Sequence, residues 1–62
     1  MDKGEIVMAR DKYDPYWMTI GKYAGEARHR HEVELPSRKI LTYDHVEPLN
    51  LDRYFTQRFK EN

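Results

Sequence analysis

Hydrophobic and polar residues alternate most regularly over residues 31–35. Within this segment, HEVEL, Val33 and Leu35 fall on one side of an extended chain and the two glutamates on the other. This alternation is typical of a β-strand with one buried face. The Pro-Ser-Arg run that follows at 36–38 is typical of a tight turn, so we predict a hairpin whose second strand covers 39–43.

Two earlier apolar runs predict further strands. Residues 5–10 form a short apolar run bounded by charged residues, and residues 16–23 are rich in aromatic and branched side chains. On the second strand we expect Tyr16, Met18 and Ile20 to share one face. Asp14 and Pro15 favour a turn between the two strands.

The C-terminal part of the chain predicts a helix. Residues 44–49 are expected to be irregular or 3₁₀, and Asn50 is a good N-cap, with Leu49 and Tyr54 at the positions of a hydrophobic staple. We expect this helix to cover 50–62 and to bury an apolar face. The face consists of Leu51, Tyr54, Phe55 and Phe59.

Together these elements predict one mainly β domain over residues 1–62. We expect a frayed N-terminus over 1–4, a small antiparallel β-barrel or strongly bent sheet of four to five strands over 5–49, and a C-terminal α-helix over 50–62. Closure into a barrel would remove exposed sheet edges. A winged-helix fold, with a helix over 19–24, is the alternative.

Four segments resemble a Src-homology-3-like small β-barrel of the Tudor or KOW type. They are GEIVMAR at 4–10, YWMTI at 16–20, HEVEL at 31–35 and ILTYDHVEPL at 40–49. In these barrels a glycine begins the first strand and a short 3₁₀ segment precedes the last. The resemblance implies a binding module for RNA, DNA or a peptide. The predicted helix from Asn50 onward departs from the family pattern at the place of the last strand.

Composition narrows the class of protein. The 62 residues carry eleven basic and eleven acidic side chains and no cysteine. Disulfide frameworks, thiolate zinc sites and cysteine nucleophiles are therefore excluded. No apolar run reaches the roughly 18–20 residues of a membrane span, and the acidic start lacks the basic region of a signal peptide, so we expect a cytoplasmic protein without a membrane partner. Only 12 residues are Leu, Ile, Val or Phe, so aromatic rings must supply much of the core.

The one basic tract predicts contact with nucleic acid. It is followed by a second basic pair across the predicted hairpin, and we expect the two to lie near each other and to follow a phosphate backbone, with neighbouring rings stacking on bases. The candidate residues are Arg28, His29, Arg30, His31, Arg38 and Lys39, with Tyr16, Trp17 and Tyr23. The opposing interpretation, which the zero net charge favours, is a solvated loop balanced by Glu26, Glu32 and Glu34.

The neutral charge also favours an alternative, a protein-interaction or homo-oligomerisation module typical of a phage or other accessory protein. Its contact would be the aromatic barrel surface or the helix face from Leu51 to Phe59. Tyr13, Tyr16 and Trp17 cluster around a turn, and the resemblance to Tudor barrels implies that aromatic side chains on such a loop form a cage for a methylated cation. The more favoured interpretation places Trp17 in the core.

Two patterns resemble a metal or catalytic site, but each lacks a required residue. His29 and His31 would share one face of a strand, with His45 or Glu32 completing a metal site, but a clear third ligand is missing. Asp44-His45 resembles the first half of the HNH nuclease motif, and no later histidine supplies the second half. We therefore predict a non-catalytic module without metal or other cofactor.

Overall fold

The computed structural model describes residues 1–57 and shows one antiparallel sheet followed by a short helix. The elements are β1 (Ile6–Arg10), β2 (Thr19–Ala27), β3 (Arg30–Glu34), β4 (Ile40–Tyr43), β5 (His45–Pro48) and α1 (Leu51–Thr56). The strand order is β4-β3-β2-β1-β5, so β4 and β5 are the two edges and the sheet is not closed. The predicted mainly β architecture with a C-terminal helix is confirmed, in the form of an open five-stranded sheet.

The sheet bends so that its two halves approach each other. The Tyr43 hydroxyl donates to Thr19 Oγ1 at 3.3 Å, and β3 contacts β5. One core cluster lies on the inner face of this bend. Its members are Val7, Ala9, Tyr23, Val33, Tyr43 and Val46. Val33 is fully buried and Leu35 packs against the cluster, which confirms the inward face expected from their alternation.

A second set of buried side chains, Met8 and Trp17, lies outside this cluster. Met8 is fully buried but follows Val7 along the strand, so it points away from the first cluster. Trp17 is also buried and lies under the guanidinium groups of Arg10 and Arg53, at 5.3 and 5.6 Å from the ring centroid. The Gln57 side chain accepts from Trp17 N–H at 2.6 Å and donates to Trp17 C=O at 2.9 Å. Trp17 is therefore a core residue, as the favoured interpretation had it.

Strand β2 differs from the prediction in both position and face. It covers Thr19–Ala27 instead of 16–23, and its buried positions are Gly21, Tyr23 and Gly25. The prediction that Tyr16, Met18 and Ile20 share one face of this strand is wrong, since Tyr16 and Met18 precede it, and none of the three is buried.

Two glycines lie on the inward face of β2 and shape its pairing with β3. A Cβ at Gly21 would lie 2.6 Å from the Glu34 carbonyl oxygen, so the missing side chain lets β3 approach closely. Gly25 has a φ of +124°, beside the register shift in the β2–β3 pairing. Gly21 lies inside the predicted strand 16–23, whereas Gly25 falls after its predicted end, yet the observed strand contains both glycines.

Residues 44–49 also differ from the prediction, because they contain strand β5 instead of a 3₁₀ segment. Leu49 N–H donates to Ile6 C=O at 3.1 Å, and Val7 pairs with Pro48. Since hydrogen-bonded and non-hydrogen-bonded pairs alternate, the backbone nitrogen of Pro48 points away from β1. A proline is tolerated there because the ladder needs no donor at that position.

Helix α1 begins as predicted, but its apolar face is not covered. The Asn50 side chain accepts from Arg53 N–H at 3.0 Å, which confirms the N-cap. No residue of Leu51–Thr56 is buried, and Phe55 is 62% exposed, so burial of Phe55 against the sheet is wrong. Phe59 and the rest of the predicted helix, 58–62, lie outside the described residues. Within residues 1–57 no helix is long and apolar enough to cross a membrane.

The N-terminal residues are partly tied to the sheet. Gly4 N–H donates to Tyr23 C=O at 2.8 Å, and Glu5 N–H donates to Asp2 C=O at 3.1 Å. The prediction that residues 1–4 are frayed therefore holds for their exposure but not for the backbone of Gly4.

Candidate functional site

The two basic segments lie at opposite ends of strand β3. Arg28 and His29 form the β2–β3 turn, whereas Arg38 and Lys39 belong to the β3–β4 turn. Consecutive antiparallel hairpins place their turns at opposite ends of the strand they share, and β3 is five residues long, or about 17 Å. The predicted continuous basic surface is therefore wrong.

Arg30 is held in an ionic network that we call the Arg30 clamp. Its guanidinium donates to Asp11 at 2.8 Å and to Asp44 at 2.9 Å. It also donates to Thr42 Oγ1 at 3.1 Å and to the Thr42 carbonyl at 2.8 Å. These contacts use its charge and most of its donors, so Arg30 has a structural role here and offers less to a phosphate than an unpaired arginine would.

Asp44 is the acidic centre of the Arg30 clamp. Lys12 N–H donates to its carboxylate at 2.8 Å, and this bond holds the pKa of Asp44 below its ordinary value. Desolvation acts in the opposite direction, and the Arg30 charge adds to the lowering. The acidic half of the Asp44-His45 pair is therefore held in a charged structural contact, while His45 is exposed on β5.

The rings expected to stack on bases are largely covered. Trp17 is 5% exposed and Tyr23 is 7% exposed, so neither presents a face to a ligand in this structure. The Tyr23 hydroxyl hydrogen-bonds His31 Nδ1 at 3.2 Å, and burial followed by the nearby Glu26 charge raises the pKa of Tyr23. Tyr16 is half-buried. The stacking role predicted for Trp17 and Tyr23 is therefore not compatible with their burial.

The cage and metal hypotheses gain no supporting geometry. Tyr13 is exposed, with the Lys12 ammonium 5.0 Å from its ring centroid, while guanidinium groups lie over the Trp17 ring. His29 is in a turn and His31 is in β3, so they do not share one strand face as predicted. In the described part of the chain, no three His, Asp or Glu side chains are grouped as metal ligands would be.

The β2–β3 turn has an unusual backbone for its sequence. Arg28 and His29 have φ values of 53° and 68°, and the flanking Ala27 and Arg30 are paired, which makes a two-residue turn of the I′ kind. Asn-Gly is the preferred pair for such turns, and larger residues are strained there. Both side chains are exposed, and neither makes a hydrogen bond or ion pair within residues 1–57.

A groove that the sequence did not predict lies beside the β3–β4 turn, and we call it the Arg38 groove. It has a volume of about 350 Å³. Its lining includes the apolar residues Ile6, Ile20, Leu35 and Pro36 and the charged residues Lys22, Glu34 and Arg38. The strand register brings Ile6 opposite Lys22 and Lys22 opposite Glu34. The groove joins residues of three strands, and local sequence patterns do not show which strands pair, which is why the groove was not predicted.

Strand β4 offers an open edge next to this groove. Leu35 N–H donates to Lys39 C=O at 2.8 Å, which marks a hydrogen-bonded pair. By alternation, the N–H and C=O groups of Ile40 and Thr42 point away from β3. Leu41 pairs with buried Val33 on the core face, yet it is 45% exposed because no strand lies beyond it.

Comparison with known proteins gives no match. No family model matches the sequence, and no curated protein and no solved structure shows significant similarity to it. The resemblance to Tudor and KOW barrels therefore stays a prediction.

Proposed function

We propose that this chain is a non-catalytic protein-interaction module that binds an acidic, apolar segment of a partner protein at the Arg38 groove. The groove itself carries the proposal, because four apolar side chains line a surface depression of about 350 Å³. Depressions of this size accommodate ligand groups, and apolar lining with a few polar groups is typical of binding sites.

The charge around the groove favours an acidic partner. Lys22 and Arg38 line it, Lys39 follows Arg38, and Glu34 is its one acidic member. None of the three cations forms an ion pair within the described residues. A local positive surface on a chain of zero net charge steers acidic segments toward this place and not toward the molecule as a whole.

Selection from a library of random ten-residue peptides displayed on phage tests the proposal without a known partner. We expect enriched peptides to combine Leu, Ile, Val or Phe with Asp or Glu. Titration of a synthetic enriched peptide should shift the backbone NMR signals of Ile6, Leu35 and Arg38. Enrichment of basic peptides, or signal changes confined to α1, would contradict the proposal.

Two matched variants locate the contact. Ile6 and Leu51 are comparably exposed, at 44% and 54%, but only Ile6 lines the groove. Ile6→Lys should weaken peptide binding at least tenfold, whereas Leu51→Lys should leave it unchanged. The opposite result would assign the interaction to the α1 face around Leu51, Tyr54 and Phe55.

Contact with nucleic acid is a second candidate function, now through the β2–β3 turn alone instead of both basic segments. The specific observation in its favour is the strained β2–β3 turn, which presents Arg28 and His29 to solvent. Backbone strain is often retained where the side chains have a function. Such a tip would contact one or two phosphates, so we expect a log–log salt slope of about 1 to 2.

Fluorescence anisotropy with single-stranded and duplex oligonucleotides at two salt concentrations tests this second candidate. Arg28→Ala should reduce both the affinity and its salt dependence, while Arg38→Ala, which removes an equal charge at the other end of β3, should not. Binding that is insensitive to salt, or equal losses in both variants, would rule out the turn as a phosphate contact.

A further inference from the structure

We infer that the partner segment binds as an added strand along the free edge of β4, an inference that rests on the proposed function. Three backbone groups are available there: Ile40 N–H, Ile40 C=O and Thr42 N–H, all of which point away from β3. The carbonyl of Thr42 is already bonded to Arg30. The added strand is therefore short, and it pairs mainly around Ile40.

The other edge of the sheet is not suited to this role. In β5 the outward backbone position at Pro48 has no N–H, and α1 follows after only two residues. Strand β4 is different: its sequence, ILTY, contains neither a proline nor a charged residue. Long charged side chains, prolines and bulges are the usual means of blocking edge pairing. Within residues 1–57, the Arg30 clamp occupies an outward backbone group of β4 at its Thr42 end.

Side chains on both faces of β4 complete the recognition surface. Leu41 belongs to the core face but is 45% exposed, so an apolar residue of the added strand would finish the core beside it. Ile40, on the outer face, is 55% exposed. Arg38 and Lys39 precede the strand and would pair with acidic residues at one end of the partner segment. Arg38 also lines the groove, so the β3–β4 turn lies between the groove and the start of the free edge.

N-methylation of a peptide enriched in the selection described above tests strand addition directly. Two versions are synthesised, with methyl groups on alternate residues in one register or the other. Only one set of alternate N–H groups faces β4 in an added strand, so one version should lose binding at least tenfold and the other should stay within about twofold. Equal affinities of the two versions would overturn the inference.

Variants of β4 provide the complementary test. Ile40→Pro removes an outward N–H while the ladder with β3 keeps its bonds, and it should weaken binding at least tenfold. Ile40→Ala keeps the N–H and should lose less. If Ile40→Pro does not fold by circular dichroism, the double variant Arg38→Glu, Lys39→Glu replaces it. That variant should weaken acidic peptides at least tenfold and improve binding of peptides in which Lys replaces each acidic residue; unchanged affinity for both would overturn the inference.

Failure of this inference is distinguishable from failure of the proposed function. If Ile6→Lys abolishes binding but the two methylated versions bind equally, the groove is a binding site and strand addition is wrong. If the wild-type chain sediments as a dimer that Ile40→Pro dissociates, and no peptide is enriched, a second copy occupies the edge and a partner peptide is excluded.

Discussion

The two edges of the sheet differ in how they are protected. At β5, Pro48 removes an outward donor and α1 is fastened to the same half of the sheet through Trp17 and Gln57. At β4, three backbone groups and the side chains of Ile40 and Leu41 remain open. The β5 edge is therefore less suited to pairing with another chain, whereas the β4 edge is available for contact.

Buried side chains are also distributed unevenly between the two halves of the sheet. The protected half contains the second buried group, Met8 and Trp17, in addition to its share of the inner core. The β3–β4 half has only the inner core and the Arg30 clamp. Local stability follows buried apolar contacts, so we expect backbone amides of β1 to exchange with solvent more slowly than those of β4.

The largest loss of stability is expected when the residue that anchors α1 to the sheet is removed. Trp17→Ala should lower the free energy of unfolding by about 3–5 kcal/mol, because it removes a large buried ring and the contacts of that ring with Arg10 and Arg53. Chemical denaturation measures the loss. Phe55→Ala is the matched control: this ring is 62% exposed, so its removal should cost less than about 1 kcal/mol. Equal losses would show that α1 is held through Phe55 instead.

A smaller effect is expected at the Arg30 clamp, which supports the β4 side. Arg30→Met should lower the free energy of unfolding by about 1–2 kcal/mol, because two carboxylates lose their cation at a partly exposed site. Hydrogen exchange should accelerate in β4 more than in β1. Arg30→Lys keeps the charge but not the forked geometry, so it should restore only part of the loss. Uniform acceleration in all strands would contradict a local role.

The β2–β3 turn provides a reference that belongs to neither edge. Replacing Arg28-His29 by Asn-Gly should raise the free energy of unfolding by about 0.5–1 kcal/mol, since these residues suit positive φ values. Thermal melting detects the gain, and the relative exchange rates of β1 and β4 should not change. A lower melting temperature would mean that the present side chains stabilise the turn.

The smallest expected effect is an acid dependence that comes from Asp44. Its folded-state pKa lies below the unfolded-state value, so its contribution is complete above the unfolded-state pKa and is lost as pH falls through the folded-state pKa. Melting temperature should therefore decline below about pH 4. Asp44→Asn should start lower at neutral pH and decline less steeply. Identical slopes for both proteins would assign the acid sensitivity to other carboxylates.

Much of the fold could be predicted from local patterns. The alternation at Val33 and Leu35 correctly identified a half-buried strand, and Asn50 correctly identified the start of a helix. Both signals depend on neighbouring residues only. The inward face of β2 depended on the close approach at Gly21, and β5 depended on pairing with β1, so neither could be derived from a local pattern.

The candidate site was harder to predict than the fold. The residues of the basic tract look alike in the sequence, but Arg30 is bound in the clamp while Arg28 is exposed at a turn. Their separation from Arg38 follows from the succession of two hairpins, which places the turns at opposite ends of β3. The groove and the open edge depend on the order in which the strands pair, which no local pattern shows.

The contact between Gln57 and Trp17 makes the position of α1 sensitive to a chemical change of one side chain. A primary amide carries one acceptor and one donor side by side, as a peptide group does, and Gln57 uses both on the main chain of Trp17. The side chain thus imitates one residue of a neighbouring strand. Deamidation of Gln57 would replace the donor nitrogen by an acceptor oxygen facing a carbonyl oxygen. The exchange of this NH2 group for an oxygen would turn an attraction into a repulsion, and the helix would lose this contact with Trp17.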